Sequence, residues 1–91
     1  MQDVIIIDLN NFALEKPVTI FKNGVKKEFT ATMEALPSTV AMFSAQANIN
    51  KIYIYGAKVY AAPIVDGIST YAKTNFNKQD LEIEVITQWN I

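Results

Sequence analysis

The chain has 91 residues, of which 51% are hydrophobic, and its eight lysines and nine acidic residues give a net charge of -1. It contains no histidine, no cysteine and no arginine. This composition excludes disulfide frameworks, thiolate metal sites, proton transfer by histidine and bidentate arginine clamps on phosphate or carboxylate groups.

Length and charge also set the broad class of protein. We expect one domain over residues 1–91, with 87–91 as a C-terminal tail. The sequence lacks an apolar run long enough for a membrane span and the features of a signal peptide, which predicts a cytoplasmic location without membrane attachment. The near-neutral charge argues against nucleic acid as the main partner. The bias toward Asn, Lys, Ile, Tyr and Phe suits an AT-rich genome such as that of a phage or mobile element.

The first predicted element is a strand over residues 3–8. Residues 4–7 are Val-Ile-Ile-Ile, so apolar side chains fall on both faces of the strand. This pattern predicts cover on both faces, either from layers of the same chain or from a second copy.

A hairpin is the strongest local signal. Asn23-Gly24 separates two β-rich segments, residues 18–22 and 25–30, and Asn-Gly readily adopts positive φ at both central positions of a type I′ turn. The lysines of the second segment are typical of an edge strand. The preceding residues 15–17 are expected to form a loop.

A change in the spacing of apolar residues, from that of a strand to that of a helix, predicts a first helix over residues 36–48. Leu36, Val40, Phe43 and Ala47 fall on one side of such a helix. Pro37 suits the first turn, and the asparagines that follow the segment are expected to end it.

Residues 51–56 (Lys-Ile-Tyr-Ile-Tyr-Gly) predict a central strand that Gly56 ends, followed by a turn over residues 56–58. A second helix follows, with Pro63 near its start and residues 75–77 near its end. Gly67 in its interior costs about 1 kcal/mol relative to alanine, which predicts a close approach to a neighbouring element. The side expected to face the core carries Tyr60, Ile64, Ile68, Tyr71 and Ala72.

The last predicted strand covers residues 81–86, where apolar and acidic residues alternate. Such alternation indicates one face in the core and one in water. The elements together predict an α+β domain with a mixed five-stranded sheet and two helices, in the order β-β-β-α-β-α-β.

This order resembles the ribonuclease H-like core, and the resemblance covers nearly all of the chain. Asp8 at the end of the first strand matches the position at which nucleases and nucleotide-binding members of that superfamily carry an acid. The resemblance implies that the first, fourth and fifth strands lie parallel, with the hairpin extending one side of the sheet.

The sequence departs from that superfamily in its chemistry. The superfamily's nucleases hold divalent metals with further carboxylates, one near the end of the fourth strand, whereas here that strand ends in tyrosine and glycine. A remnant metal cluster of Asp8, Glu34 and Glu84 is an alternative to three ordinary surface carboxylates. The resemblance therefore implies a fold and not an activity, and we expect no catalytic residue, metal or cofactor.

One candidate ligand site lies where neighbouring parallel strands are predicted to end, which is where open α/β sheets bind ligands. The alternative is a purely structural role. The aspartate and asparagines would then stabilise a turn, the glycine would adopt a φ that other residues avoid, and the lysine would be exposed to solvent. The residues concerned are Asp8, Asn10, Asn11, Gly56 and Lys58.

The aromatic residues are the second candidate site. Most of them are expected to pack in the core with their polar atoms at its boundary. The alternative is a protein-protein surface formed by Tyr53, Tyr55 and Trp89, because tyrosine and tryptophan are enriched at interface hot spots. Trp89 either folds back over the sheet or contacts a partner, and the acidic stripe of Glu82 and Glu84 is solvated or attracts a basic partner.

These observations favour a non-enzymatic interaction or accessory module, for example an inhibitor encoded by a phage or mobile element. Its partner is expected to be another protein or a second copy, with a homodimer favoured. A reduced metal-dependent nuclease or nucleotide-binding domain that uses Asp8 is the alternative. A purely structural domain from an actin- or resolvase-like ancestor is a third hypothesis.

Overall fold

A computed structural model describes residues 2–89. Within that range no helix is long and apolar enough to cross a membrane. Residues 87–89 of the predicted tail follow the last strand without regular structure, and residues 90 and 91 lie outside the described part. The elements have the predicted α+β order: β1 (Val4–Asp8), β2 (Glu15–Lys22), β3 (Val25–Thr32), α1 (Leu36–Ala47), β4 (Lys51–Tyr55), α2 (Lys58–Phe76) and β5 (Glu82–Ile86).

The five strands form one mixed sheet in the order β3-β2-β1-β4-β5. Strands β1, β4 and β5 are parallel to one another, whereas β2 is antiparallel to both β1 and β3. The hairpin of β2 and β3 thus extends one side of the sheet, as expected. Lysine-rich β3 lies at the edge, as its composition predicts.

Both helices pack on the same face of the sheet. Ile5 and Ile7 of β1 belong to one buried cluster with Leu36 and Val40 of α1 and with Ile68 of α2. Successive strand residues point to opposite faces, so Val4 and Ile6 point away from the helices. The molecule therefore has two layers, with a shortest dimension of 19 Å.

The hairpin turn has the predicted geometry, because Asn23 has a φ of 54° and Gly24 a φ of 78°. Asp3, just before β1, stabilises this turn from the neighbouring strand. Its carboxylate accepts a hydrogen bond from the Asn23 backbone N–H at 3.0 Å and forms an ion pair with Lys22 at 3.2 Å.

The prediction of a loop over residues 15–17 is wrong, because β2 begins at Glu15. Pro17 is tolerated within this strand for a positional reason. The pairing of β2 with β1 ends at Val18, and Pro17 pairs only with Thr30 of β3. At Pro17 the strand is locally an edge, where a missing N–H does not break a ladder hydrogen bond.

Asparagines end both helices, as predicted. Asn48 follows α1 with a φ of 55°, and Asn77 follows α2 with a φ of 52°. Asparagine tolerates this left-handed conformation better than most residues, which makes it suitable after the last helical turn.

The start of α2 differs from the prediction. The helix begins at Lys58, so the turn expected over residues 56–58 is replaced by one that ends at Ala57. Pro63 is consequently the sixth residue of the helix and lies inside it, not in its first turn.

The predicted close approach at Gly67 is confirmed. A Cβ atom at this position would lie 2.7 Å from the Cβ and 2.8 Å from the Cγ of Pro37. Gly67 is thus the point at which α2 crosses the first turn of α1.

The predicted core side of α2 is only partly right. Ile64, Ile68 and Ala72 are buried, but Tyr60 and Tyr71 are 67% and 42% exposed, and Ala61 is buried instead. Small alanine side chains allow α2 to approach its neighbours more closely than tyrosine would. The buried side of α2 therefore carries side chains that fit the narrow space between helix and sheet, and its tyrosines lie outside that space.

The prediction that most aromatic residues pack in the core is wrong. Among the described residues, the buried hydrophobic side chains are all Ile, Val, Leu or Ala. A two-layer domain has a thin interior that aliphatic side chains fill. The aromatic residues lie at its margins and on the sheet face without helices.

Candidate functional site

The carboxyl ends of the parallel strands meet at one edge of the molecule, as the first candidate site requires. Asp8 pairs with Tyr55 in the register of β1 and β4. The Leu9 N–H donates to the Tyr55 carbonyl at 2.8 Å, and the Gly56 N–H donates to the Ile86 carbonyl at 3.0 Å. These bonds hold the ends of β1, β4 and β5 together.

The candidate ligand residues themselves make local turn contacts. The Asp8 Oδ1 accepts the Asn10 N–H at 3.0 Å, and the Asn11 Oδ1 accepts the Ala13 N–H at 2.8 Å. Both are side-chain-to-backbone turns that asparagine and aspartate favour. These contacts agree with a structural role for Asp8, Asn10 and Asn11, and ligand binding by them stays a prediction.

The other two candidate residues of this edge differ in their surroundings. Gly56 is buried, and a Cβ atom there would lie 2.9 Å from the Leu9 Cβ, so glycine permits the loop after β1 to cross it. Lys58 is exposed as the first residue of α2.

The acidic residues proposed as a remnant metal cluster are not brought together. Within residues 2–89 no three acidic, histidine or cysteine side chains are placed to hold a metal ion. Glu84 instead forms an ion pair with Lys51 at 3.3 Å. Asp8, Glu34 and Glu84 therefore do not form such a group in the described part of the chain.

The second candidate site is the sheet face that carries no helix. Val4 and Ile6 on this face are nonetheless buried, with 5% and 3% of their surface exposed. Their register partners on the same face are Phe21 of β2 for Val4 and Tyr53 of β4 for Ile6. Both faces of β1 are therefore buried, as its sequence predicts, but the expected second layer or second copy is not what buries this face in the single chain. Neighbouring side chains of the same sheet lie beside Val4 and Ile6 instead.

The three predicted interaction residues share this face. Tyr55 and Trp89 pack edge to face with their ring centroids 5.2 Å apart, so Trp89 folds back over the sheet. Trp89 is still 51% exposed, and Tyr53 and Tyr55 are half-buried. We call Phe21, Tyr53, Tyr55 and Trp89 the aromatic face.

A charged group lies beside the aromatic face. Lys51 Nζ is 3.4 Å from Glu82, 3.3 Å from Glu84 and 5.0 Å from the centre of the Tyr53 ring. Burial acts to lower the pKa of Lys51, but its hydrogen bond and ion pair with Glu84, together with Glu82, raise that pKa above its usual value. The lysine therefore keeps its charge and holds β4 to β5 on this face.

Three residues of functional interest were not predicted from the sequence. Phe21 belongs to the aromatic face. Its place there follows from its pairing with Val4 in the sheet, which the sequence does not show. Phe12 and Leu14 lie in the loop between β1 and β2 and are almost fully exposed. Two apolar side chains in an otherwise polar loop were a signal for them.

Comparisons of the chain with protein families, with curated proteins and with solved structures find no match. The function has to be argued from the residues of the chain and their arrangement.

Proposed function

We propose that this protein is a non-enzymatic interaction module of the cytoplasm, with a ribonuclease H-like core, that forms a homodimer through its aromatic face. The single observation that carries the proposal is the placement of Tyr53, Tyr55 and Trp89 on the sheet face without helices. The strand order β3-β2-β1-β4-β5 supports the choice of core. An accessory or inhibitory role toward another protein would use the same face.

The size of the face suits a dimer. The molecule measures 31 by 28 Å across its two longer dimensions, which bounds the area that the sheet can present. A stable interface buries about 800 Å² on each partner. Stacking most of the face against a second copy would therefore reach the size of an ordinary interface, whereas Trp89 with Tyr55 alone would not.

The composition of the face also suits a second copy. Its centre is apolar and aromatic, as in the buried centre of an interface, and charged residues lie toward its margins. On β3 the ion pair of Lys26 and Glu28 at 3.1 Å is neutral overall. On β4 and β5, Lys51 offsets part of the charge of Glu82 and Glu84. Two such faces could stack without strong repulsion between like charges.

The test is the solution mass over a concentration series, measured by light scattering for the native chain and two variants. The face variant is Tyr55→Lys with Trp89→Lys. The matched control is Tyr60→Lys with Tyr71→Lys, which also introduces two lysines in place of aromatic residues, at exposed positions of α2. We expect dimers for the native chain and the control, and at least tenfold weaker dimerisation for the face variant.

A native chain that stays monomeric at all concentrations would contradict the proposal. A face variant that dimerises like the control would contradict it equally, because dimerisation would then use another surface.

The alternative is a reduced metal-dependent nuclease or nucleotide-binding domain that uses Asp8. The observation in its favour is the position of Asp8 at the carboxyl end of β1, beside Tyr55 at the end of β4. Mg²⁺ or Mn²⁺ would then raise the melting temperature of the native chain and not that of Asp8→Asn. Asp66→Asn, which changes an exposed acid of α2, is the control. An equal response to metal in all three proteins would remove this alternative.

A further inference from the structure

The turn of the hairpin places an asparagine directly before a glycine at the surface. Of the eight asparagines in the chain, only Asn23 is followed by glycine. Both residues are exposed, and a Cβ atom at Gly24 would have no heavy atom of a non-neighbouring residue within 4 Å. The rest of the fold therefore leaves this dipeptide open to water.

An asparagine can lose its side-chain amide to attack by the next backbone nitrogen, which contributes to the thermal lability of this residue type. The attacking nitrogen gives up its proton and bonds to the asparagine Cγ, and the side-chain nitrogen leaves as ammonia. The product is a cyclic imide. Glycine is the most favourable following residue, because it has no Cβ to hinder the approach and its backbone torsions are the least restricted.

Two other asparagines match Asn23 in conformation and exposure but differ in the nitrogen that follows. Asn48 and Asn77 are exposed and have φ values of 55° and 52°, against 54° for Asn23. The next backbone N–H groups, those of Ile49 and Lys78, donate to carbonyls of the preceding helix at 3.0 Å and 2.9 Å. Both nitrogens also belong to residues with long or branched side chains, which hinder attack.

The nitrogen of Gly24 has neither restriction. Within the described residues 2–89, its N–H donates to no backbone carbonyl. The fold thus distinguishes three asparagines of the same conformation by the availability of the neighbouring nitrogen, and Asn23 is the one whose neighbour is free to react.

Asp3 restrains the reaction by holding the turn. The imide ring contains the Cα–C bond of Asn23, so closing the ring rotates this bond away from the left-handed conformation of the turn. The Asp3 carboxylate accepts the Asn23 N–H at 3.0 Å and pairs with Lys22 at 3.2 Å, and both contacts oppose this rotation. Ring closure therefore requires a locally opened turn, and Asp3 determines how often the turn opens.

We propose that Asn23 and Gly24 form a self-modification site at which the Gly24 nitrogen displaces the Asn23 side-chain amide, at a rate that Asp3 restrains. Water, the only co-reactant, then opens the imide. Addition at the former side-chain carbonyl breaks the new bond and leaves aspartate. Addition at the main-chain carbonyl breaks the original peptide bond and leaves isoaspartate, so that the main chain runs through the former side chain. The proposal does not rest on the proposed homodimer.

The two products affect the hairpin differently. Aspartate before glycine also suits a type I′ turn, but it adds a negative charge to a residue whose N–H is bonded to the Asp3 carboxylate. Isoaspartate adds a methylene group to the main chain of a two-residue turn, which disturbs the pairing of Lys22 with Val25. The modification therefore loosens this end of the hairpin, and isoaspartate does so more than aspartate.

The test follows full-length protein at mildly alkaline pH, where the attacking nitrogen loses its proton more readily. Peptide mapping with mass spectrometry measures aspartate and isoaspartate at each asparagine over time. In the native chain we expect both products at residue 23, formed several times faster than at Asn48 and Asn77. The readout is the ratio of these rates within one protein, because general loosening of the fold would raise all three rates together.

Two variants should change this ratio in opposite directions. Asp3→Asn loosens the turn without touching the reacting atoms and should raise the ratio several-fold, whereas Asp66→Asn, at an exposed acid of α2, should leave it unchanged. Gly24→Ala also loosens the turn, because alanine is unfavourable at a φ of 78°, but its Cβ hinders the attack. It should lower the ratio. Circular dichroism verifies that each variant is folded.

Four outcomes would overturn the proposal. Modification at residue 23 no faster than at Asn48 and Asn77 would show that the free nitrogen does not matter. Aspartate without isoaspartate would mean direct hydrolysis by water, with no imide. A Gly24→Ala variant that reacts at the native rate would exclude the glycine nitrogen as the attacking group. An Asp3→Asn variant with an unchanged or lower ratio would show that Asp3 does not restrain the turn.

Discussion

Single residues decide how closely the two helices of this molecule approach each other. Gly67 lies against the ring of Pro37, and this ring is rigid because it is closed onto the backbone nitrogen of α1. A side chain at residue 67 can be accommodated only if one of the helices moves.

We predict that Gly67→Ala destabilises the protein. Alanine gains about 1 kcal/mol in helix propensity, but overpacking against a rigid neighbour costs typically about 1–3 kcal/mol. Urea denaturation measures the difference, with Thr70→Ala at an exposed position of α2 as control. A Gly67→Ala variant more stable than the native chain would show that the helices separate easily.

Asp3 is a second residue whose effect extends beyond its own element. The backbone hydrogen bond from Asn23, and then the hydrogen bond and charge of Lys22, lower the pKa of Asp3 below its usual value. A carboxylate with a lowered pKa stabilises the folded state above the ordinary aspartate pKa of about 3.9, and this stabilisation is lost as the pH falls through the folded value.

We therefore predict that Asp3→Asn lowers the melting temperature at neutral pH and reduces its fall below about pH 4. The melting temperatures of the native chain, of Asp3→Asn and of Asp66→Asn, measured from pH 7 to about pH 2, test this. The prediction is wrong if the native chain and Asp3→Asn show parallel curves.

Among the elements, α2 contains a proline in its interior, where proline disfavours a helix. Pro63 is the sixth residue of a 19-residue helix, so it cannot donate the backbone hydrogen bond that another residue would donate to the Val59 carbonyl. Tertiary packing through Ile64 and Ile68 keeps the helix intact, since both are buried in the core.

We predict that Pro63→Ala stabilises the protein, because Pro63 is exposed and its replacement restores a helix bond without removing a core contact. The gain is limited to about 3 kcal/mol, the difference between proline and alanine in a helix interior. Chemical denaturation measures it, with Ala62→Ser as an exposed neighbouring control. A loss of stability would mean that the ring of Pro63 makes stabilising contacts with the first turn of α2.

At the scale of the whole molecule, one sheet face carries two helices and the other carries aromatic side chains. An unpaired face of this kind leaves apolar area in contact with water in the monomer. If the proposed homodimer covers it, folding and association are coupled, and stability depends on protein concentration.

We predict that the melting temperature of the native chain rises by a few degrees for each tenfold increase in concentration. The Tyr55→Lys, Trp89→Lys variant should show a smaller rise, and the Tyr60→Lys, Tyr71→Lys control should behave like the native chain. A native melting temperature that is independent of concentration would contradict coupled folding and association.

Local patterns in the sequence were sufficient for the elements whose structure depends on neighbouring residues. Asn23-Gly24 predicts its own turn because two positive φ values are required there, and Asn48 and Asn77 end helices for a similar reason. The alternation in β5 predicts a strand because the pleat sets a period of two, and the run in β1 predicts one because β-branched residues favour strands. The close approach at Gly67 also followed from the sequence, since glycine is unfavourable inside a helix and often marks a place with no room for a side chain.

Only the tertiary structure decided which side chains are buried and which surfaces remain free. Both crossover helices lie on one face, so Tyr53, Tyr55 and Trp89 share the other with Phe21, while the core holds aliphatic residues that fit between two close layers. The sequence determined that Phe12 and Leu14 are apolar, but their exposure depends on how the loop between β1 and β2 is placed. Burial is a property of contacts between distant residues, and for that reason local patterns determined the elements and the fold decided the surfaces.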